Sequence, residues 1–442
     1  MPQTLLRPDY KLADNLSARD GVVFLTGTQA LIRLALMQSA RDAARGIASQ
    51  GFISGYRGSP LGMVDQQAWK AAKLLDAAKV KFLPAINEEL GATAVLGTQR
   101  VESDPERTAD GVYAMWYGKG PGVDRAGDAL KHGNAYGSSP LGGVIVVAGD
   151  DHGCVSSSMP HQSEVAMQSW HMPVVAPANV AEYLEFGLYG WELSRFSGNW
   201  VGFTALSEVV ESGSTVDLDA TNARVAAWKG GPEVEATTGF VRLAEGLHYR
   251  WPDLPSLQIE ERLHAKLDAV RAFAKVNAID RQVVESEHAT VGIVTCGKAH
   301  FDLLEVFRRL DIPLDALAEA GVRLYKVGLA YPFEPTRLEA FAEGLDEILV
   351  VEEKGAVVET QMRDLFYNSE VRPTIVGKRD AAGRALVSEL GELRPSRLIE
   401  IVAEDRPGLL YDLATAISAN GGNIEVVLID TQAHKAIDVF YV

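Results

Sequence analysis

The chain is poor in cysteine. Cys154 and Cys296 are its two cysteines, far apart and never in a C-x-x-C arrangement. Ordinary iron–sulfur clusters take four ligands, usually thiolates, so no such cluster is expected in this chain alone. Both cysteines read as small buried residues beside strand ends. The sequence also lacks an apolar run of about eighteen residues, so no membrane span is expected. Its opening, MPQTLLRPDYKLADN, mixes charges of both signs without an apolar core. It does not read as a secretory signal, and a cytoplasmic location is the expectation. Basic residues are in the minority, with 42 Lys and Arg against 59 Asp and Glu and a formal charge of -17. Nucleic-acid binding, which needs a basic footprint, is not expected. Neither an internal repeat nor a low-complexity tract is evident.

What is present is a globular composition, 47% apolar and 23% charged, over 442 residues. That length predicts roughly two to four domains. From Gly21 to Glu208 short β-branched runs alternate with helical stretches, the pattern of an α/β domain on a mainly parallel sheet. VVFLTG, GFISGY and LGGVIVVAGDDHG read as strands with their following turns. TQALIRLALMQSARDAARG reads as a helix ending at Gly46, and another is expected from Val64 to Ala78. Residues 211 to 285, rich in Gly, Ser, Pro and Asp, read as connecting structure closed by the helix IEERLHAKLDAVRAFAKVNA. A second α/β unit starts near Thr290, with TVGIVTCG, VRLYKVG and DEILVVEE as strands, and Pro395 breaks its pattern. The remainder, from Ser396, reads strand–turn–helix–turn–strand–strand. Pro407 suits the helix start and Gly421 the cap beyond its end.

In parallel α/β sheets ligands sit beyond the carboxyl ends of the strands, and three polar groups fall there. The turn Tyr56-Arg57-Gly58-Ser59-Pro60 offers backbone donors, a cation and a hydroxyl suited to a carboxylate, although any strand-to-helix turn uses Gly and Pro. Glu88, after the good N-cap Asn87, opens the small-residue helix EELGATAVLGTQ. Glu88 and Glu89 either complement the helix dipole or face a closely packed partner or cofactor. Asp150, Asp151 and His152 form a possible polar site for a metal or for proton transfer, or simply a turn. No residue is assigned as a metal ligand.

SGYRGSPLG, FLPAINEELGATAVLGTQ, YAMWYGKGPGVDR, VVAGDDHG and LYGWELSRFSGNWVGF resemble the long fused indolepyruvate:ferredoxin oxidoreductases. GIVTCGKAHFDLLE, RLYKVGLAYPFEP and GLDEILVVEEK extend the resemblance in the same order, from near Gly21 to about Arg394. It implies a domain that binds the aminopyrimidine of thiamine diphosphate, followed by a transketolase-C-like domain. Glu88 then stands where the family's glutamate bonds the pyrimidine N1′. Sharing a proton there favours the imino tautomer, whose nitrogen removes the thiazolium C2 proton, and a dry interface suits the role by raising the carboxyl's pKa. The 2-oxoacid is then decarboxylated and two electrons pass onward as an acyl-CoA forms. Tyr56 is implied at the cofactor. Ser59 and Arg57 are implied at the substrate carboxylate, with Ser59 replacing the threonine of related enzymes and Arg57 standing where proline is usual.

The family's Gly-Asp-Gly motif, which holds magnesium at the diphosphate, has no counterpart: the GDD at 149–151 lies in the pyrimidine half. The resemblance therefore implies a partner subunit carrying the magnesium–diphosphate site and the iron–sulfur clusters, with ferredoxin engaged indirectly and a homo-oligomer expected. Beyond Ser396, EDRPGLLYDLATAISANGGNI and VVLIDTQAHKAIDVFYV resemble an ACT domain, closest to those of protein-PII uridylyltransferases. An amino acid would bind near Gly408 and Asn423. The module lacks its last helix and strand, so an unpaired edge would need cover.

The expected architecture is α/β throughout. Residues 1–235 form a pyrimidine-type thiamine-diphosphate-binding domain on a parallel sheet, and 236–285 a linker and helix. Residues 286–395 form the transketolase-C-like domain, and 396–442 a truncated, ferredoxin-like βαββ ACT module. The expected activity is oxidative decarboxylation of an arylpyruvate such as indolepyruvate, together with a partner. The alternative is a non-catalytic amino-acid sensor built on a truncated oxidoreductase scaffold.

Overall fold

The computed structural model describes residues 9–250, 257–403, 426–432 and 435–441. Its strands are, in chain order, β1 (Val22–Thr26), β2 (Gln50–Gly55), β3 (Val80–Phe82), β4 (Val112–Lys119), β5 (Val144–Gly149), β6 (Val174–Val175), β7 (Trp200–Thr204) and β8 (Gly213–Asp217). They continue with β9 (Arg281–Val284), β10 (Val291–Cys296), β11 (Val322–Val327), β12 (Leu329–Tyr331), β13 (Glu347–Val351) and β14 (Thr374–Val376), and end with the hairpin strands β15 (Val426–Gln432) and β16 (Lys435–Tyr441). Internal contacts divide the chain into two units. Met1–Ile279 with Gly328–Glu334 forms the first, and Asp280–Val327 with Pro335–Val442 the second.

The first unit is built on a seven-stranded sheet of order β12-β6-β7-β5-β4-β2-β3. All pairs are parallel except β12 with β6. Strands β5 (VIVVAG) and β7 (WVGFT) are buried along their whole length, as both-face-covered parallel strands require. VVFLTG, expected in this sheet, lies outside it: β1 pairs antiparallel with β8 as a two-stranded ribbon. The reason is its burial pattern. Val23 and Leu25 are buried while Phe24 is exposed, the alternation of a strand with one covered face. A side chain at Gly213 would run into the Phe24 ring, which lies over that glycine. The segment after residue 211 is thus more than connecting structure, since it supplies β8 and the helix Leu218–Ala226.

Two long helices pack on this unit's core. Gly27–Ala44 opens with a capping box in which the Thr26 hydroxyl accepts from the Gln29 N–H and the Gln29 amide oxygen accepts from the Thr26 N–H. Each satisfies a donor that the first turn leaves free. Val180–Ser197 is capped by Asn179 and stopped by Gly198 at φ 74°, where a Cβ would be strained. Gly187 lets the second helix approach Leu34 of the first. Asp42 and Arg195 join them through two parallel hydrogen bonds of 2.7 Å, with both residues buried. Arg195 Nε donates to Gly142 O just before β5, and Asp42 also accepts from Gln38 and Ser49. The helix Leu257–Val276 packs here too. Its buried Lys266 and Arg262 donate to the carbonyls of Asn134, Ala135 and Tyr136 at the end of the helix Gly127–Tyr136, where cations complement the dipole.

The second unit has a five-stranded sheet of order β14-β13-β10-β11-β9, parallel except for β9 against β11. Its core gathers Ile293, Leu303, Phe307, Leu324, Leu349 and Leu398. Residues Pro395–Ala403 are a helix, which corrects the strand expected to open the βαββ module. Pro395 sits at the first helical position, where its missing N–H costs nothing, and Leu398, Ile401 and Val402 recur at helical spacing. Burial of Leu398 in this unit's core secures the helix. The strands β15 and β16 pair as an antiparallel hairpin. Gly408 and Asn423, expected to bind an amino acid, lie outside the described residues. No helix among the described residues is long and apolar enough to cross a membrane.

Two stability predictions follow from the first unit. Asp42→Ala leaves a buried guanidinium unpaired and is expected to cost about 3–5 kcal/mol in urea unfolding, whereas Asp42→Leu combined with Arg195→Met costs much less. A double replacement as damaging as the single one would refute this. His248 Nε2–H donates to Arg195 O at 2.7 Å, and burial lowers the imidazole's pKa to about 4. The unfolded chain therefore binds the proton more readily, and stability is lost as pH falls from about 6.5 to 4. His248→Gln should flatten that part of the pH–stability curve.

Candidate functional site

Parallel pairing puts the carboxyl ends of β2, β3, β4 and β5 on one edge of the first unit's sheet, and the segments after β2, β3 and β5 carry the polar groups singled out in the sequence. Glu88 begins the helix Glu88–Thr98, with Asn87 Oδ1 accepting from Leu90 N at 2.9 Å. The helix sits on the end of β2 because Gly91 lies against Gly55, where a Cβ would come within 3.1 Å of the Gly55 Cα. Trp116, buried in β4, donates its indole N–H to Glu88 O at 3.0 Å. Glu88 is 9% exposed. Arg125 Nε stands 3.7 Å from Glu88 Oε2 but is itself largely exposed, so the ion pair is screened and weak. The preceding segment leaves Leu83 and Ile86 exposed, Ile86 at 82%.

The end of β4 and the residues after it supply clearance. In GKGPG, a Cβ on Gly118 would meet the Trp116 ring, and one on Gly120 would meet His161 and Asp150 Oδ1. A Cβ on Gly122 would sit 2.6 Å from Glu88 Cγ and 3.0 Å from Oε1. The carboxyl of Glu88 is therefore shaped by the absence of a side chain at Gly122. These glycines were not singled out from the sequence. Their spacing of two from the end of a buried strand, GxGxG, was the available signal. His161 Nε2 lies 3.0 Å from Asp124 Oδ2 on the same short helix, Gly120–Arg125.

The turn Tyr56–Pro60 is held from both sides. Tyr56 N donates to Tyr117 O at 3.2 Å, and the Tyr117 hydroxyl makes a short hydrogen bond to Asp65, which lies in the next helix. Burial, then the bond to Asp65, pushes the Tyr117 phenol well above its ordinary pKa. Tyr56 and Arg57 are exposed, and the Ser59–Pro60 bond is cis. Ser59 Oγ accepts from Ser156 Oγ at 2.7 Å and donates to Glu211 Oε1 at 3.4 Å. Ser59 lines a cleft of about 370 Å³ with Thr26, Thr28, Gln67 and Glu211. No local pattern singles out Ser156 or Glu211, which reach Ser59 from distant loops.

Asp150 and Asp151 serve the loop after β5. Asp150 accepts from Ser163 N at 2.8 Å and Ser163 Oγ at 2.7 Å. Asp151 accepts from Val155 N and Ser156 N. Burial pushes the Asp151 carboxyl up, but the Ser156 and Val155 N–H groups outweigh it and hold the group below the usual carboxylate range. His152 is buried beside them. The fold thus joins the turn at Ser59 to this loop through Ser156, and gathers Glu88, Gly122 and Arg125 as a second group.

The second unit has its own crevice position, between β10 and β13, where the order of its parallel strands reverses. Its own side chains fill it. Lys298 Nζ contacts Glu353 at 2.8 Å, Asp302 at 2.6 Å and Leu393 O at 2.7 Å. Burial disfavours the ammonium, but Glu353 and Asp302 prevail and raise its pKa. Glu352 accepts from the N–H groups of Val357, Val358 and Glu359. The helix N-terminus that could hold an anion is thereby taken by the chain's own carboxylate.

Comparison with known proteins agrees with the motifs. Residues 281–406 match the indolepyruvate oxidoreductase domain. The chain is 25% identical over 378 residues to indolepyruvate oxidoreductase subunit IorA of Methanothermobacter thermautotrophicus, covering 84% of this chain and 53% of that protein. With subunit IorA of Pyrococcus horikoshii it shares 25% over 385 residues, covering 86% and 52%. The chain thus spans about half the length of these curated relatives. A 2-oxoglutarate:ferredoxin oxidoreductase from Magnetococcus marinus, solved with 2-oxoglutarate, coenzyme A and succinyl-CoA bound, shares the fold at a TM-score of 0.60 and 15% identity. That likeness covers 87% of this chain and 65% of the other.

The clearance at Gly122 is directly testable. Gly122→Ala should destabilise the chain by about 1–3 kcal/mol through overpacking against Glu88. In a Glu88→Ala background the same change should become neutral or stabilising, since alanine is the better helix former. Equal costs in both backgrounds, measured by urea unfolding, would refute the contact.

Proposed function

We propose that this chain is the aminopyrimidine-binding part of a thiamine-diphosphate-dependent 2-oxoacid:ferredoxin oxidoreductase acting on indolepyruvate or a related arylpyruvate. The observation that carries the reading is Glu88. Its carboxyl is buried at the start of a helix, on the edge where parallel sheets bind ligands, against a glycine whose missing side chain leaves room beside Oε1. A buried carboxyl that follows the exposed apolar Leu83 and Ile86 in the chain fits a flat, nitrogen-bearing aromatic ring. The similarity to IorA subunits supports the same reading.

Glu88 would hold the pyrimidine nitrogen and keep or share a proton there, with Tyr56 alongside. Gly122 preserves the room for that carboxyl, and Trp116 fixes the backbone from which it projects. Thiamine diphosphate, when bound, supplies the electron sink that makes decarboxylation of a 2-oxoacid feasible. Ser59 and Arg57 would receive the substrate carboxylate. Ser59 already bonds Ser156 and Glu211, so substrate must displace the weaker, 3.4 Å contact. Asp150, Asp151 and His152 shape the loop that carries Ser156. A partner subunit would provide the magnesium–diphosphate site and the iron–sulfur clusters from which electrons reach ferredoxin, and the product would be an acyl-CoA.

The test combines this chain with a polypeptide bearing the Gly-Asp-Gly motif and cluster cysteines, and follows indolepyruvate-dependent reduction of an electron acceptor with coenzyme A, thiamine diphosphate and magnesium. Glu88→Gln and Glu88→Ala are expected to lower turnover by about 10²–10⁴-fold at unchanged melting temperature. Turnover that survives Glu88→Ala would exclude the catalytic role.

A further inference from the structure

A separate cleft of about 710 Å³ runs along the helix Gly27–Ala44 and shares no lining residue with the cleft at Ser59. Its walls combine apolar side chains, among them Leu36, Met37 and Leu188, with three arginines, Arg19, Arg33 and Arg41. Among the described residues no Asp or Glu lines it, although acids outnumber bases by 59 to 42 in the chain. This local reversal of sign needs a physical reason.

Arg33 sharpens the point. It is 2% exposed, yet no carboxylate pairs with it among the described residues. Its Nη1 donates to Asn15 O at 2.7 Å and, more weakly, to Asp14 O at 3.5 Å, and its Nη2 donates to Ala18 O. Its Nε has no hydrogen-bond partner among the described residues. Backbone carbonyls supply only partial negative charge, and a buried cation without a counter-ion is costly. Burial lowers the guanidinium's pKa to about 10, so it still carries its charge at neutral pH. Arg41 is only partly compensated. Its Nε lies 3.5 Å from Glu192 Oε1, an oxygen that Arg45 approaches to 2.6 Å and Arg195 to 3.8 Å.

We propose that this cleft binds a small amphipathic anion, with a carboxylate or phosphate head at Arg33 and Arg41 and an apolar body along Leu36, Met37 and Leu188. Guanidinium donors match both head groups. The volume lies within the range of roughly 300–1,000 Å³ usual for small-molecule pockets. The site is independent of the reading of Glu88, because it shares no residue with that region.

Calorimetry of the full chain against decanoate, decyl phosphate and decanol, each below its self-association concentration, tests the proposal. At least one anion should bind saturably and raise the melting temperature, with decanol weaker by about tenfold or more. Preference for decanoate assigns a carboxylate head, and preference for decyl phosphate a phosphate head. Arg33→Met should weaken anion binding by about tenfold or more. Met37→Trp, which fills the cleft and keeps every arginine, should do the same, and it decides the matter if Arg33→Met does not fold. Saturable binding of neither anion, equal binding of decanol, or binding unaffected by Met37→Trp would overturn the proposal.

Discussion

Parallel pairing of β2, β3, β4, β5 and β7 is the constraint on which the rest of the first unit rests. Strands that run the same way must release their following segments from the same edge, so residues far apart in sequence meet there without any special arrangement. The turn at Ser59, the helix of Glu88, the glycines after β4 and the aspartates after β5 are neighbours for this reason. The sheet can be parallel because its central strands are apolar on both faces and helices cover them.

What closes the construction is a set of buried polar bonds, each spanning elements that the hydrophobic core alone would leave free to slide. The Asp42–Arg195 pair ties two helices together, and Arg195 extends to the turn before β5. Tyr113 reaches from β4 to the Ala35 carbonyl of the first helix. Tyr117 and Asp65 hold the turn that presents Ser59. Such bonds add less net stability than apolar packing, but breaking one leaves a buried group unsatisfied, and so they specify one arrangement. The second unit uses the same means to another end, since Lys298, Glu352 and Glu353 fill the crevice where its strand order reverses.

Much of this was legible beforehand. The helices at 27–44 and 257–276, the strands GFISGY and VIVVAG, and the position of Glu88 after a capping Asn87 all follow from local periodicity and capping chemistry. The errors have a common cause. VVFLT is the strand its pattern predicts but pairs outside the parallel sheet, and RLIEIVA is a helix rather than a strand, because the sheet or state an apolar run takes depends on the surface it finds. Phe24 turned outward over Gly213 makes the first a ribbon strand. Leu398 buried in the second unit's core makes the other a helix. The return of Gly328–Glu334 to the first unit had no local signal, because antiparallel pairing of β12 with β6 is a property of distant partners.

The sequence by itself determined the fold class, the order of the units, the likeness to indolepyruvate oxidoreductases and the candidacy of Glu88, because periodicity, capping and motif order are one-dimensional properties. Only the tertiary structure decided that Gly122 makes the space beside that carboxyl, that Ser156 and Glu211 reach Ser59, and that three arginines line a cleft with no acid among the described residues. Each of those facts is a distance between residues that the chain brings together only by folding, and no local pattern encodes it.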